Sequence, residues 1–164
     1  MRKIIILLII TIIYSCDKKG QAESKEEVAL TEAQKQLDID AVKRLVADSF
    51  QAVFSDIDTT AVSKYYTEDF ILLENGVLWN NDSINHYMKR KLKNKPKYQR
   101  LNRFDFLKSV HNQNSIWVAY DNYATFVKEQ DTLRTVHWLE SAVAKKVNNT
   151  WQLQQLHSTV VRKK

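Results

Sequence analysis

Apolar positions along the chain change spacing, and each change marks a different kind of element. Ile39, Val42, Val46, Phe50, Val53 and Phe54 recur at intervals of three and four, which places them on one stripe of a helix. This is an amphipathic helix with one buried face, and Asp38 is a candidate cap at its start. After "SDID" a shorter helical run, "TTAVSKYY", follows, with Asp58 placed to cap it. "FILLENGVLW" reads as two short strands around Asn75-Gly76, a dipeptide that accepts the positive φ angles of a type I′ turn. Helical spacing then returns through Ile84, Tyr87, Met88 and Leu92.

Beyond that point the period drops to two. "RFDFLKSV", "SIWVAYDNYATFV", "TVHWLESAVAKKV" and "TWQLQQLHSTVV" are β-rich segments joined by short polar turns. Helix, helix, small hairpin, helix and long antiparallel meander predict an α+β domain in which a curved sheet packs on N-terminal helices. A chain of 164 residues suits one such domain, and 44% hydrophobic content is ample for its core. With only 2 Gly and 1 Pro, a loop-rich or low-complexity protein is excluded.

The N-terminal pattern fits neither period. Arg2 and Lys3 precede an apolar run from Ile4 to Ile13 that only Thr11 interrupts, and "IYSC" follows. So short a run cannot cross ~30 Å of hydrocarbon as a helix, so the layout is that of a secretory leader. The alternative is a short membrane anchor or a buried helix. A leader ending at an isolated cysteine resembles the bacterial lipoprotein signal, in which a small residue, here Ser15, precedes the lipidated Cys. Tyr14 is bulkier than that pattern's usual residue. The resemblance implies that Cys16 becomes an acylated N-terminus, tethering the protein to a membrane of the bacterial cell envelope. Asp17 bears on sorting between inner and outer membrane, and that choice stays open. Residues 17–36 carry no aromatic residue and little else to bury, so they are expected to form a flexible tether reaching on the order of 25 Å. A transient helix over 26–36 is compatible with this composition. The organisation is thus leader 1–15, lipidated Cys and tether 16–36, and globular domain 37–164.

The helices followed by "YYTEDFILLENGVLW", with the closing "HWLESAV…W…LHST", resemble the nuclear transport factor 2-like superfamily and within it the SnoaL-like, ketosteroid-isomerase-like branch. The resemblance covers about residues 38–162 and rests on the order and spacing of elements. It implies a cone-shaped α+β barrel with a pocket between the helices and the concave sheet face, often in a homodimer. Isomerases, cyclases, dehydratases and non-catalytic binding modules all share that architecture.

Candidate chemistry gathers in the last hairpin. If Asn148-Asn149 is a two-residue turn, Glu140 lies opposite His157 and Trp138 opposite Thr159 on one face. A carboxylate beside His157 would orient the imidazole and favour its protonated form, a pair suited to proton transfer. The structural alternative is a cross-strand polar pair on a solvated or dimer-facing surface, and a longer turn would uncouple the two. Asp121 and Tyr123 share a face of "WVAYDNY"; they, or Asp69 with Tyr66, supply the carboxylate and tyrosine that proton-shuttling members of the resembling family use, but neither pair aligns to the isomerase motif and no catalytic role is carried over. Trp138, Tyr66, Asp121 and Tyr123 are the expected pocket residues. Tyr65 and Tyr66 read first as core or pocket wall rather than as acids, Asp69 first as a turn or cap residue, and His111 falls in the turn "HNQNS".

Other classes of chemistry find no support. The histidines at 86, 111, 137 and 157 lack metal-ligand spacing, the lone Cys16 rules out an internal disulfide framework, and no nucleotide-binding or nucleophile-elbow motif is present. No metal or cofactor is expected. The formal charge of +6 is concentrated: of 25 basic residues, eight lie from Lys89 to Arg103 without an acid among them. Such a segment could face anionic headgroups or an anionic ligand, or be a solvated loop around Pro96. Export argues against nucleic acid as the partner. The expected function is a lipid-anchored protein whose pocket binds a small apolar or amphipathic ligand without chemistry. The alternatives are an isomerase, cyclase or dehydratase using His157 and Glu140, and a dimerising interaction module.

Overall fold

The computed structural model describes residues 30–94 and 97–162. The leader, Cys16 and residues 17–29 of the tether lie outside the described residues.

Helix α1 (Glu32–Phe50) begins earlier than its apolar stripe requires. The hydroxyl of Thr31 accepts the Gln34 N–H at 3.1 Å, and Glu32 places an acid in the first turn. The cap is therefore Thr31 rather than Asp38, and the helix takes in residues 32–36 of the expected tether. Asp38 is instead buried inside the helix, accepting from Gln34 Nε2 at 3.2 Å. A π-helical turn (Gln51–Asp56) extends α1 and ends where Ile57 turns left-handed at φ 56°. Asp58 then accepts from Thr60 N and Oγ1, which fixes the turn into α2 (Ala61–Tyr65), where Thr60 holds the capping position.

Strands β1 (Tyr66–Glu74) and β2 (Val77–Asn80) close the small hairpin as expected. Asn75 and Gly76 have φ 47° and 84°, the two positive angles of a type I′ turn. Asn80 caps α3 (Asn81–Lys93) by accepting from Ser83 N at 3.0 Å. Ile84 and Met88 of α3 are fully buried, whereas Leu92, expected on the same stripe, is exposed in a last turn that carries Arg90, Lys91 and Lys93.

Long strands complete the sheet: β3 (Gln99–Asn112), β4 (Ser115–Lys128), β5 (Asp131–Val147) and β6 (Thr150–Val160). The order is β2-β1-β6-β5-β4-β3, with β1 and β6 parallel and every other pair antiparallel. Along β4, Ile116, Val118, Tyr120, Asn122, Ala124 and Phe126 are buried, and the residues between them face outward. That strict alternation identifies one sheet face as the core side, packed against Val42, Val46 and Phe50 of α1 and Ile84 and Met88 of α3. The outer face carries an apolar row across the strands, in which Val143 pairs Trp117 and Trp117 pairs Val110.

The last hairpin departs from its expected register at one residue. Asn148 and Asn149 have positive φ and do form the two-residue turn, and pairs from Val147–Thr150 to Ala144–Leu153 follow it. A β-bulge at Gln154 then shifts the ladder, so that Val143 pairs with Gln155 and Glu140 with Ser158. His157 moves opposite Ser141 and is exposed on the outer face, while Glu140 points into the core at 5% exposure. The expected Glu140–His157 pair does not form, because one extra residue reverses the facing of everything beyond it.

Candidate functional site

Between the end of α1, α3 and the concave sheet face lies a cavity of about 190 Å³. Phe50, Phe54, Leu72, Trp79 and Leu156 supply its apolar wall; Glu74, Arg100, Glu140 and Ser158 supply its polar groups. An outer cavity of about 400 Å³ adjoins it, sharing Phe54, Glu74, Tyr87, Arg100 and Trp138 and adding Lys91 and Arg134. Apolar walls with a few convergent polar groups are the usual make-up of a small-molecule site.

Glu140 is the most perturbed acid in that wall. Ser158 Oγ donates to its Oε1 at 2.8 Å and Asn122 Nδ2 to its Oε2 at 3.1 Å. Burial pushes its pKa up to about 7, against the opposing pull of those two donors and of Arg100. The Tyr66 and Tyr120 phenols, both fully buried, are also pushed up, first by burial and then by the neighbouring Glu140 carboxylate in the case of Tyr120. Glu74 accepts from Asn75 Nδ2 at 2.6 Å, and burial raises its pKa. The cavity thus holds two carboxyl groups whose pKa values burial raises, beside one cation.

Of the residues expected in the site, the structure places Glu140 and Trp138 in the cavity wall. Tyr66 sits in the core instead, its ring stacked on Phe70 at 4.0 Å, and it borders a separate cleft with Asp69. Asp69 accepts from Gln154 Nε2, the bulged residue. Asp121 and Tyr123 are on the outer sheet face, away from the cavity, because β4 alternates and Tyr120 and Asn122 hold the inner positions. There Asp121 bonds His137 Nε2 at 2.6 Å and Tyr123 stacks on the same ring. His157 lies outside as well, with Thr159 Oγ1 at 3.5 Å from its Nε2. His111, expected in a turn, is in β3 with Nε2 3.4 Å from Asp38 Oδ2. Among the described residues, no group of three or more His, Cys, Asp and Glu is placed to hold a metal ion. No described helix is long and apolar enough to cross a membrane.

Arg100 and Glu74 were not anticipated as site residues. Arg100 was legible in principle: it shares strand parity with Phe104 and Phe106 in "RLNRFDF", so alternation alone carries it to the inner face. The surrounding run of positive charge obscured it.

The architecture matches known structures far more clearly than the sequence matches known proteins. No family model and no curated protein matches the sequence. A ketosteroid isomerase-like protein from Erwinia carotovora superposes with a TM-score of 0.60 at 14% identity, over 77% of this chain and 98% of that one. An NTF2-like protein from Cytophaga hutchinsonii gives 0.55 at 12% identity, over 80% and 100% of the two chains. A LinA-type hexachlorocyclohexane dehydrochlorinase from Novosphingobium barchaimii gives 0.63 at 9% identity, over 80% and 92%. The chain has the nuclear transport factor 2-like fold: an α+β cone with a curved sheet wrapped on N-terminal helices.

Proposed function

We propose that this domain binds a small amphipathic molecule in the cavity between α1, α3 and the concave sheet face. The cavity itself carries the reading: a largely apolar chamber adjoining a more polar outer one, between the helices and the concave sheet face. The displacement of His157 to the outer face supports binding without chemistry, since Glu140 then has no imidazole to exchange a proton with. N-phenyl-1-naphthylamine, an uncharged probe that fluoresces in apolar surroundings, tests this. Micromolar binding is expected for the wild type, and Leu156→Trp, which fills the chamber, is expected to weaken it about tenfold or more, equivalent to losing ~1.4 kcal/mol. Absence of saturable binding by the wild type would refute the reading.

A second reading, proton transfer to or from a bound ligand by Glu140 alone, is favoured by the buried carboxyl group whose pKa stands at about 7, where a general base works best. Similarity in fold to a dehydrochlorinase and to an isomerase-like protein is consistent with either reading, since one fold hosts both.

We further propose that Cys16 anchors the domain to a bacterial envelope membrane, on the strength of the basic, apolar and Ser-Cys order of residues 2–16. Cys16→Ser should move the protein from the membrane to the soluble fraction or leave its leader uncleaved. Normal anchoring of that variant would exclude lipidation.

A further inference from the structure

Part of the basic run turns inward. Lys91 and Arg100 line the outer cavity, and Arg134 of β5 joins them from the sheet. Arg100 stands at the junction, in the walls of both cavities. Its Nε donates to Asn102 Oδ1 at 2.9 Å, and Asn102 Nδ2 donates in turn to Ser55 Oγ at 3.0 Å, which fixes the side chain. Aromatic rings surround the guanidinium, with Trp138 and Phe54 at 5.3 and 5.5 Å and Phe50 and Phe126 each at 5.9 Å from Cζ.

That environment leaves the cation incompletely served. Among the described residues no carboxylate forms an ion pair with Arg100, and its two terminal amino groups have no protein acceptor. Aromatic faces attract a cation but accept no hydrogen bonds of normal strength. Removing a guanidinium from water is costly unless its donors are met, and the planar fork of terminal N–H groups matches two oxygens of one anion. Glu74 and Glu140 share the cavity walls with Arg100 and attract it, but neither comes within ion-pair distance, so their charge does not satisfy the N–H groups of the fork.

We propose that the ligand is an amphipathic molecule with an anionic oxygen headgroup, a carboxylate, phosphate or sulfonate, clamped by Arg100. Its apolar body lies against Phe50, Phe54, Leu72 and Leu156. Lys91 and Arg134 at the outer chamber draw the charged end in. This names the substrate class of the binding reading and rests on it.

Two probes of nearly the same shape separate the claims: N-phenyl-1-naphthylamine and its sulfonate, 1-anilinonaphthalene-8-sulfonate. Binding is measured for the full chain in phosphatidylcholine nanodiscs, with the cavity-filled Leu156→Trp protein in the same discs as the blank. The sulfonate is expected to bind about tenfold tighter than the neutral probe, the worth of a charge-assisted hydrogen-bond pair. In Arg100→Met that ratio is expected to fall to about one or below, a loss of the charge-assisted pair. Equal or weaker binding of the sulfonate by the wild type overturns the proposal, as does an unchanged ratio in Arg100→Met. Should Arg100→Met fail to fold by circular dichroism, Arg100→Lys, which keeps the charge and removes the fork, replaces it. A fall of about threefold or more in the ratio then supports the clamp, because an ammonium lacks the planar fork, and no fall overturns it. Signal from neither probe above the blank removes the binding reading itself, an outcome distinct from binding without charge preference.

Discussion

Truncation of Phe70 to alanine is expected to destabilise the domain by about 3–5 kcal/mol, the range for emptying a buried aromatic site. The ring is 1% exposed and stacks on Tyr66 with centroids 4.0 Å apart and planes 7° apart. Little can collapse into the space. Phe70 lies in the irregular part of β1, where the parallel ladder with β6 jumps from Tyr66–Leu153 to Ile71–Gln155, and those two flanking pairs hold the backbone at either end. The penalty is therefore both the lost transfer of the ring from water and a cavity that persists. Against a total stability of about 5–15 kcal/mol for a domain of ordinary size, this is a large share. Urea unfolding followed by tryptophan fluorescence should show the midpoint falling by about 2 M, with the slope unchanged. A loss below about 1 kcal/mol would mean the site relaxes freely, contrary to the packing described.

Most of the fold was legible because it follows from repeating local rules. Alternation in β4 sorted Tyr120 and Asn122 from Asp121 and Tyr123, and the structure keeps that sorting. Asn75-Gly76 gave the small hairpin its turn, since few dipeptides accept positive φ twice. The site depended instead on an exception to the rule. In "WQLQQLHST" the residues Leu153 and Leu156 are three apart, and both are buried on one face of a strand that alternates every two. Only an inserted residue reconciles that spacing with a single core face, so the paired glutamines at 154 and 155 were the bulge's signature. Counting outward from the turn without it puts His157 on the face of Glu140 and Leu156 on the opposite face, the reverse of what is found. The start of α1 was missed for a different reason. Glu32 to Gln36 bury almost nothing, so composition marked them as tether. The Thr31 cap, the Lys35–Glu32 pair and continuity with a packed helix settle their conformation instead.

Glu140→Gln is expected to stabilise the domain at pH 8 and leave it nearly unchanged at pH 4. The carboxyl pKa rises from its ordinary 4.5 to about 7 in the fold. Below the ordinary value both folded and unfolded chains hold the proton, and burial of the neutral group carries no ionic penalty. Between the two values the unfolded chain releases its proton while the folded one keeps it, so stability falls as pH rises. Above about 7 the folded chain holds a buried carboxylate, at a cost of roughly 3 kcal/mol relative to the acid form. Glutamine removes that ionisation. Ser158 keeps an oxygen to donate to, and Asn122, whose Oδ1 is buried without a partner, can turn its amide to accept from the new Nε2. Rearranging that bond offsets the gain by about 1 kcal/mol. Glu74 titrates with the same sign, so the difference between variant and wild type across pH 4 to 8 is the quantity that isolates Glu140. A flat difference would show that Glu140 is not desolvated as its surroundings require. The same variant separates the two functional readings. Exchange of the α-protons of cyclohexanone with solvent deuterium, followed by proton NMR, should disappear in Glu140→Gln if Glu140 is a general base. A wild type that catalyses no exchange above solvent counts against the general-base reading and leaves the binding reading standing.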